Sequence, residues 1–215
     1  MKITVLVFST KSVDKPKSFC NAEEDLTVYP PMIHFAAELV EMDLEDLSGI
    51  PKVLYTISLP IKPIRNNISI DLKDKELFDE LLVDGEEMFT VSMLFQGLLS
   101  VSNVVVCHNW QLDRNIIVSE LLRFGIKPSF KVGTKTLCTM KYSTDIIKLP
   151  GSTGGKYKWP TLNELLMELT GKKFKEYYPE DTLGNVEATK DCFIALARIN
   201  EKLQQWLKGE INSIY

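Results

Sequence analysis

The sequence predicts an α/β protein: a central mixed five-stranded sheet with helices on both faces. Two patterns carry this expectation. Five short runs are rich in β-branched and apolar residues, and the longer stretches around them repeat apolar residues every three or four positions. Their order (three strands, a helix, a strand, a helix, a strand, then helices) suits a sheet that needs cover on each side.

Ile3 to Phe8 reads as a buried central strand that polar residues stop at Ser9. His34 to Met42 and Val53 to Leu59 extend the sheet outward, the second closed by a cluster containing Pro60 and Pro63. From Met88, the residues Val91, Leu94, Phe95, Leu98 and Leu99 form one face of an amphipathic helix. Asn103 to Val106 restarts the extended pattern and runs into CHNWQLD, after which Arg114 to Phe124 reads as a helix closed by Gly125. Thr136 to Met140 is the fifth strand. A glycine-rich loop, Gly151 to Pro160, then leads into a helix carrying Leu162, Leu165, Leu166 and Leu169. A last helix from about Asn185 aligns Cys192, Leu196, Ile199, Leu203 and Trp206. No repeat or linker interrupts the pattern, so one domain over residues 1–215 is expected.

Composition narrows the function classes. The net charge of −4 excludes a strongly basic nucleic-acid binder, because backbone affinity comes from Lys and Arg displacing counterions. Any such binding must be local. Cys20, Cys107, Cys138 and Cys192 form no CxxC pair, so neither a zinc site nor a disulfide framework is signalled, and a reducing cytoplasm fits. The N-terminus lacks a leader pattern and no segment approaches the roughly 18 apolar residues of a membrane span. A soluble cytoplasmic protein without a membrane partner is expected.

Three segments resemble the motifs of the DEDDh 3′-to-5′ exonuclease superfamily, over roughly residues 2 to 200. VFSTKSV resembles the strand that ends in D-x-E, with Ser9 and Lys11 at the two acidic positions. CHNWQLD resembles the second motif at His108, Asn109 and Asp113, and its acid is present. EDTLGNVEAT resembles the third, with Glu180 at the histidine and Asn185 at the aspartate. YPPMIHFAAELVE, LCTMKYST and KWPTLNELL are similar to the framework segments between them. The resemblance implies an RNase H-like fold and hydrolysis by a pair of Mg²⁺ or Mn²⁺ ions held by four carboxylates, with a histidine as base.

The substitutions undo that chemistry. Two divalent ions ~4 Å apart repel by roughly 17 kcal/mol at an effective dielectric of about 20. Asp113 supplies one negative charge, Lys11 would cancel it, and Glu180 could at most restore one. Ser9, Lys11, Asp113, Glu180 and Asn185 are therefore expected to be a vestigial site with no bound metal or other cofactor, Mg²⁺ or Mn²⁺ entering only if the protein is active. Two readings of Asp113 stay open. In one, the Lys11 ammonium stands in for a metal and donates to Asp113, with Ser9 and Asn185 completing the cluster. In the other, Asp113 caps the helix beginning near Arg114 and Lys11 is a solvated turn residue.

Among the other candidates, Lys156, Lys158 and Trp159 in the glycine-rich loop, around Tyr157, suit contact with single-stranded nucleic acid; a mobile surface loop is the alternative. Lys172, Lys173 and Lys175 read as a solvated turn. His108 reads as structural, His34 is given no role, and a Cys107 nucleophile beside His108 is disfavoured because adjacent strand residues face opposite ways. The expected function is an inactive exonuclease-like protein that binds a single-stranded DNA or RNA end or acts as a scaffold. The alternatives are an active metal-dependent exonuclease with a non-standard site and a protein-interaction module.

Overall fold

The structure is a computed structural model; it describes residues 1–18, 20–63, 75–127, 134–151, 157–174 and 181–215, with 75–78 as backbone only. Glu180, Lys156 and Lys175 lie outside the described residues. Strands β1 (Lys2–Ser12), β2 (Met32–Asp43) and β3 (Lys52–Pro60) come first. They are followed by α1 (Lys75–Asp84), α2 (Met88–Val101), β4 (Val104–Cys107), α3 (Trp110–Arg123), β5 (Lys135–Cys138) and α4 (Thr139–Ile147). Helices α5 (Leu162–Thr170), α6 (Thr182–Ile199) and α7 (Glu201–Lys208) complete the order.

The five strands form one sheet in the order β3-β2-β1-β4-β5. β2 runs antiparallel to β1 and β3, whereas β4 is parallel to both β1 and β5. β1 is therefore the central strand, and its alternation feeds two cores. Leu6 and Phe8 pack with Phe95 of α2 and with Ile116, Ile117 and Leu121 of α3. Ile3, Val5 and Val7 pack on the other face with Phe193, Leu196 and Leu203 of α6 and α7. All four residues of β4 are buried, which accounts for its unbroken VVVC run. The mixed five-stranded sheet with helices on both faces is the one expected.

Several boundaries differ for physical reasons. β1 does not stop at Ser9: its ladder with β2 continues through Thr10↔Phe35 and Lys11↔His34, and backbone pairing is indifferent to polar side chains. β5 ends at Cys138 and Thr139–Met140 open α4 rather than ending a strand; the Met140 N–H donates to the His108 carbonyl (3.0 Å). α3 starts at Trp110, four residues before Arg114, because the Asn109 side chain accepts the Leu112 N–H (3.4 Å). The final helix begins at Thr182 behind an Asp181 cap and breaks at Asn200, whose side chain caps α7 by accepting from Leu203 N–H (3.0 Å). α1 was not expected at all.

Among the described residues no helix is long and apolar enough to cross a membrane. The four cysteines are unpaired, and Cys107, Cys138 and Cys192 are buried.

Candidate functional site at the ends of β1 and β4

In an open sheet, side chains converge where neighbouring connections leave a central strand in opposite directions. Here that place is the C-terminal edge of β1, with the connection to β2 on one side and parallel β4 on the other. β4 delivers His108 and Asn109 to this edge, and the first turn of α3 then carries Asp113 back over the end of β1.

Asp113 is only 6% exposed. Its Oδ1 accepts three hydrogen bonds: from the Thr10 backbone N–H (2.8 Å), the Thr10 hydroxyl (3.1 Å) and the Ser9 hydroxyl (3.3 Å). Burial pushes its carboxyl up to about 6, against the opposing pull of the Thr10, Ser9 and Asn109 bonds. Ser9 and Asp113 are thus brought together.

Lys11 and Asn185 are not part of that cluster. Lys11 is exposed, one position further along the strand, and Oδ1 of Asp113 is already taken by uncharged donors that need no ammonium to be desolvated. Asn185 is half-buried on α6 and makes none of the hydrogen bonds that hold Asp113 Oδ1. Nor is Asp113 the helix cap, since Asn109 holds that position. Neither open reading of Asp113 therefore survives intact.

Thr10 is not legible in the sequence, because the apolar pattern of β1 ends at Ser9. His34, to which the sequence assigns no role, is the register partner of Lys11. His34 Nδ1 is shielded from solvent and has no hydrogen-bond partner among the described residues. Burial lowers the pKa of His34, with the Lys11 ammonium acting in the same direction and the Asp181 carboxylate against it.

One wall of the site is a fastened loop. Between β1 and β2 the chain is tied to α3 by Arg114 to Glu23 (2.7 Å), Asn115 to the Cys20 carbonyl (3.1 Å), and Arg123 to the Leu26 carbonyl (2.7 Å). Buried Glu120 accepts the Met32 N–H (3.0 Å) and ion-pairs with Arg123 (2.5 Å).

On the opposite side, His108 is structural, as expected. Its Nδ1 lies 3.0 Å from the Thr139 hydroxyl and its Nε2 3.2 Å from the Pro160 carbonyl. Burial lowers its pKa to about 4, so the imidazole is neutral, donating from Nε2 and accepting at Nδ1. Trp159 is exposed beside Pro160, Lys158 is ion-paired with Glu164, and Lys172 with Asp191 (2.7 Å). The buried Cys107 thiol is pushed far up by burial and by the Asp113 charge, which suits a packing role rather than a nucleophile.

These residues do not fit a pair of divalent cations. Among the described residues, the end of β1 offers hydroxyls and a peptide N–H where anionic oxygens would be needed, and the Asp113 carboxylate facing them has an oxygen already occupied. Among the described residues no three His, Cys, Asp or Glu side chains converge.

No protein-family model and no curated protein matches the sequence. Among solved structures, the chain is similar to E. coli exonuclease I in complex with a 5cy-dA13 oligonucleotide, at a TM-score of 0.66 and 14% identity. That match covers 98% of this chain and 44% of exonuclease I, so the chain spans less than half of that protein's length. Exonuclease X in complex with 5′-overhanging duplex DNA matches at a TM-score of 0.49 and 14% identity, over 91% of this chain and 92% of that one. The likeness to exonuclease I is one of fold, the RNase H-like α/β architecture.

Proposed function

We propose that this chain is a DEDDh-type exonuclease-like protein that binds single-stranded DNA or RNA ends at the C-terminal edge of β1 and β4 and does not hydrolyse them. The observation that carries this reading is the fastening of Asp113 by Ser9 and Thr10. The frame that aims a helix-borne carboxylate at the end of β1 is kept, while the groups facing it are neutral donors. Exonuclease I, whose fold is similar, was solved with an oligonucleotide, which supports a groove for nucleic acid. In this reading the whole chain acts as one domain, in a reducing cytoplasm that suits its four unpaired cysteines.

A mobility-shift series with short single-stranded oligonucleotides across salt, run beside a nuclease assay with Mg²⁺ and Mn²⁺, tests it. The expected result is a shift that fades as salt rises, without cleavage. Metal-dependent cleavage abolished by Asp113→Ala would establish the active-enzyme alternative instead. No shift at low salt would end the nucleic-acid reading.

One observation favours the interaction-module reading. α2 (MFTVSMLFQGLLSV) has no charged residue, and Phe89, Met93 and Val101 are exposed along it at helical spacing with Gly97 between them. In this second reading the occupant is another copy of the chain: two such uncharged helices would meet without like-charge repulsion, and an exposed apolar row is what an interface between protein chains buries. A Cβ at Gly97 meets nothing within 4 Å in the single chain, so Gly97→Leu should leave the monomer folded and block the contact. Sedimentation velocity showing only monomer for the natural protein at high concentration would sink this second reading.

A further inference from the structure

The segment that returns to the sheet at Pro160 is fastened more firmly than a loose surface loop. Pro150 and Tyr157 form an isolated antiparallel bridge, and the Lys158 N–H donates to the Leu149 carbonyl (3.0 Å). Just beyond, the Pro160 carbonyl accepts from His108 Nε2 (3.2 Å). Thr161 and Glu164 then close a capping box, with Thr161 N–H donating to Glu164 Oε2 (2.9 Å) and Glu164 N–H to the Thr161 hydroxyl (3.3 Å). The same glutamate ion-pairs with Lys158. Trp159 lies between these fasteners.

In spite of this, the Trp159 side chain is not packed away. It is 59% exposed, with the Lys141 ammonium over its ring at 5.7 Å. A large indole held out in water on an anchored backbone forgoes the burial that usually places tryptophan in a core. Its position is also particular. His108 joins it to the edge of β4, and the residues after His108 are Asn109, which caps α3, and then the turn that carries Asp113. The local sequence also runs against the charge of the whole chain. Between residues 141 and 164 there are four lysines (Lys141, Lys148, Lys156, Lys158) against Asp145 and Glu164, in a protein of net charge −4.

We infer that Trp159 is a stacking platform for one unpaired base of a single-stranded nucleic acid approaching the C-terminal edge of β1 and β4, with Lys141 taking the adjoining phosphate. This rests on the end-binding reading and adds to it the residues that hold an unstacked base and its phosphate. With 59% of Trp159 exposed, a base has room to stack on the indole beside the Lys141 ammonium. A lone exposed ring accepts any base, because every base has a π face, but it needs that base unstacked from its neighbours. Duplex ends hide those faces. His108 acts here as a positioning residue, since its bond to Pro160 sets where the indole stands.

The test is fluorescence anisotropy at low salt with labelled oligo-dT and oligo-rU of about 12 nucleotides, and a blunt duplex of equal length, against the natural protein, W159A, W159F and K141A. Thermal melts of each variant establish that it is folded. Trp159→Ala should weaken single-strand binding about 5- to 150-fold, whereas Trp159→Phe, which keeps a ring, should retain most of it. Lys141→Ala should weaken it too and reduce the log–log salt slope by about 0.7, the loss of one phosphate contact. The duplex should bind more weakly and be indifferent to Trp159→Ala. Single-strand binding by W159A equal to that of the natural protein would overturn the platform while leaving end binding intact. Equal losses in W159F and W159A would also overturn it, since a stacking ring would then not be what matters. Failure of the natural protein to bind either oligonucleotide would remove both this inference and the reading beneath it.

Discussion

Replacing Asp113 by asparagine removes one charge from the end of β1 while keeping an oxygen for the Ser9 and Thr10 donors. The carboxyl is raised by burial from 3.8 to about 6. Its contribution to stability is therefore fully present below pH 3.8 and is lost as the pH rises through 6, about 3 kcal/mol in all. His108 works in the opposite direction. Burial lowers it from 6.5 to about 4, so its contribution is present above pH 6.5 and lost as the pH falls through 4, again about 3 kcal/mol. In the natural protein the two slopes nearly cancel between those limits. The D113N protein should reveal the His108 slope alone, gaining stability relative to the natural protein as the pH climbs from 4 to 8. At 2–4 °C per kcal/mol for a chain of this size, the melting-temperature difference between the two proteins should widen by about 6–12 °C. Thermal melts across that range in EDTA measure it. A difference independent of pH would refute the reasoning, because Asp113 would then be solvated in the folded state. Repeating the melts at pH 7 with Mn²⁺ adds a second check. Stabilisation of the natural protein that D113N loses would mean that Asp113 ligates a cation after all.

Three further outcomes are expected. Glu38, 4% exposed on β2, ion-pairs with Lys190 of α6 and accepts from the Thr56 hydroxyl (3.2 Å). Lys190→Met should cost roughly 3–5 kcal/mol by urea unfolding, and adding Glu38→Gln should recover much of it, since the loss lies in the stranded buried charge. A Cβ on Gly85 would stand 2.5 Å from both the Leu81 carbonyl oxygen and the Lys62 nitrogen. Both are backbone atoms, so Gly85→Ala should destabilise by about 2 kcal/mol or more; a loss below about 0.5 kcal/mol would mean that the α1–α2 junction relaxes freely. Ser9→Asp, Lys11→Glu, Glu180→His and Asn185→Asp together should create saturable Mn²⁺ binding by calorimetry, and its absence would mean that the frame has drifted beyond restoring the ligands.

The sheet and most of its cover were legible in the chain alone because they rest on local periodicity. Runs such as ITVLVF and NVVV have few options other than buried strands, and the three-and-four spacing from Met88 to Leu99 makes one helical face. Asp113 was legible too, through its place in CHNWQLD. Its partners were not. That β1 carries Thr10 and Lys11 in its ladder is decided by pairing with Phe35 and His34, and that pairing made Thr10 the main support of Asp113. The break at Asn200 was hidden because both α6 and α7 keep the apolar spacing, and only the cap on Leu203 and the bond from Tyr142 (2.9 Å) mark it. The bond from His108 to Pro160 spans 52 residues, and no pattern in either segment announces it. A side chain's face follows from its neighbours along the chain, but what it meets there depends on strand register and helix docking, which only the assembled structure sets.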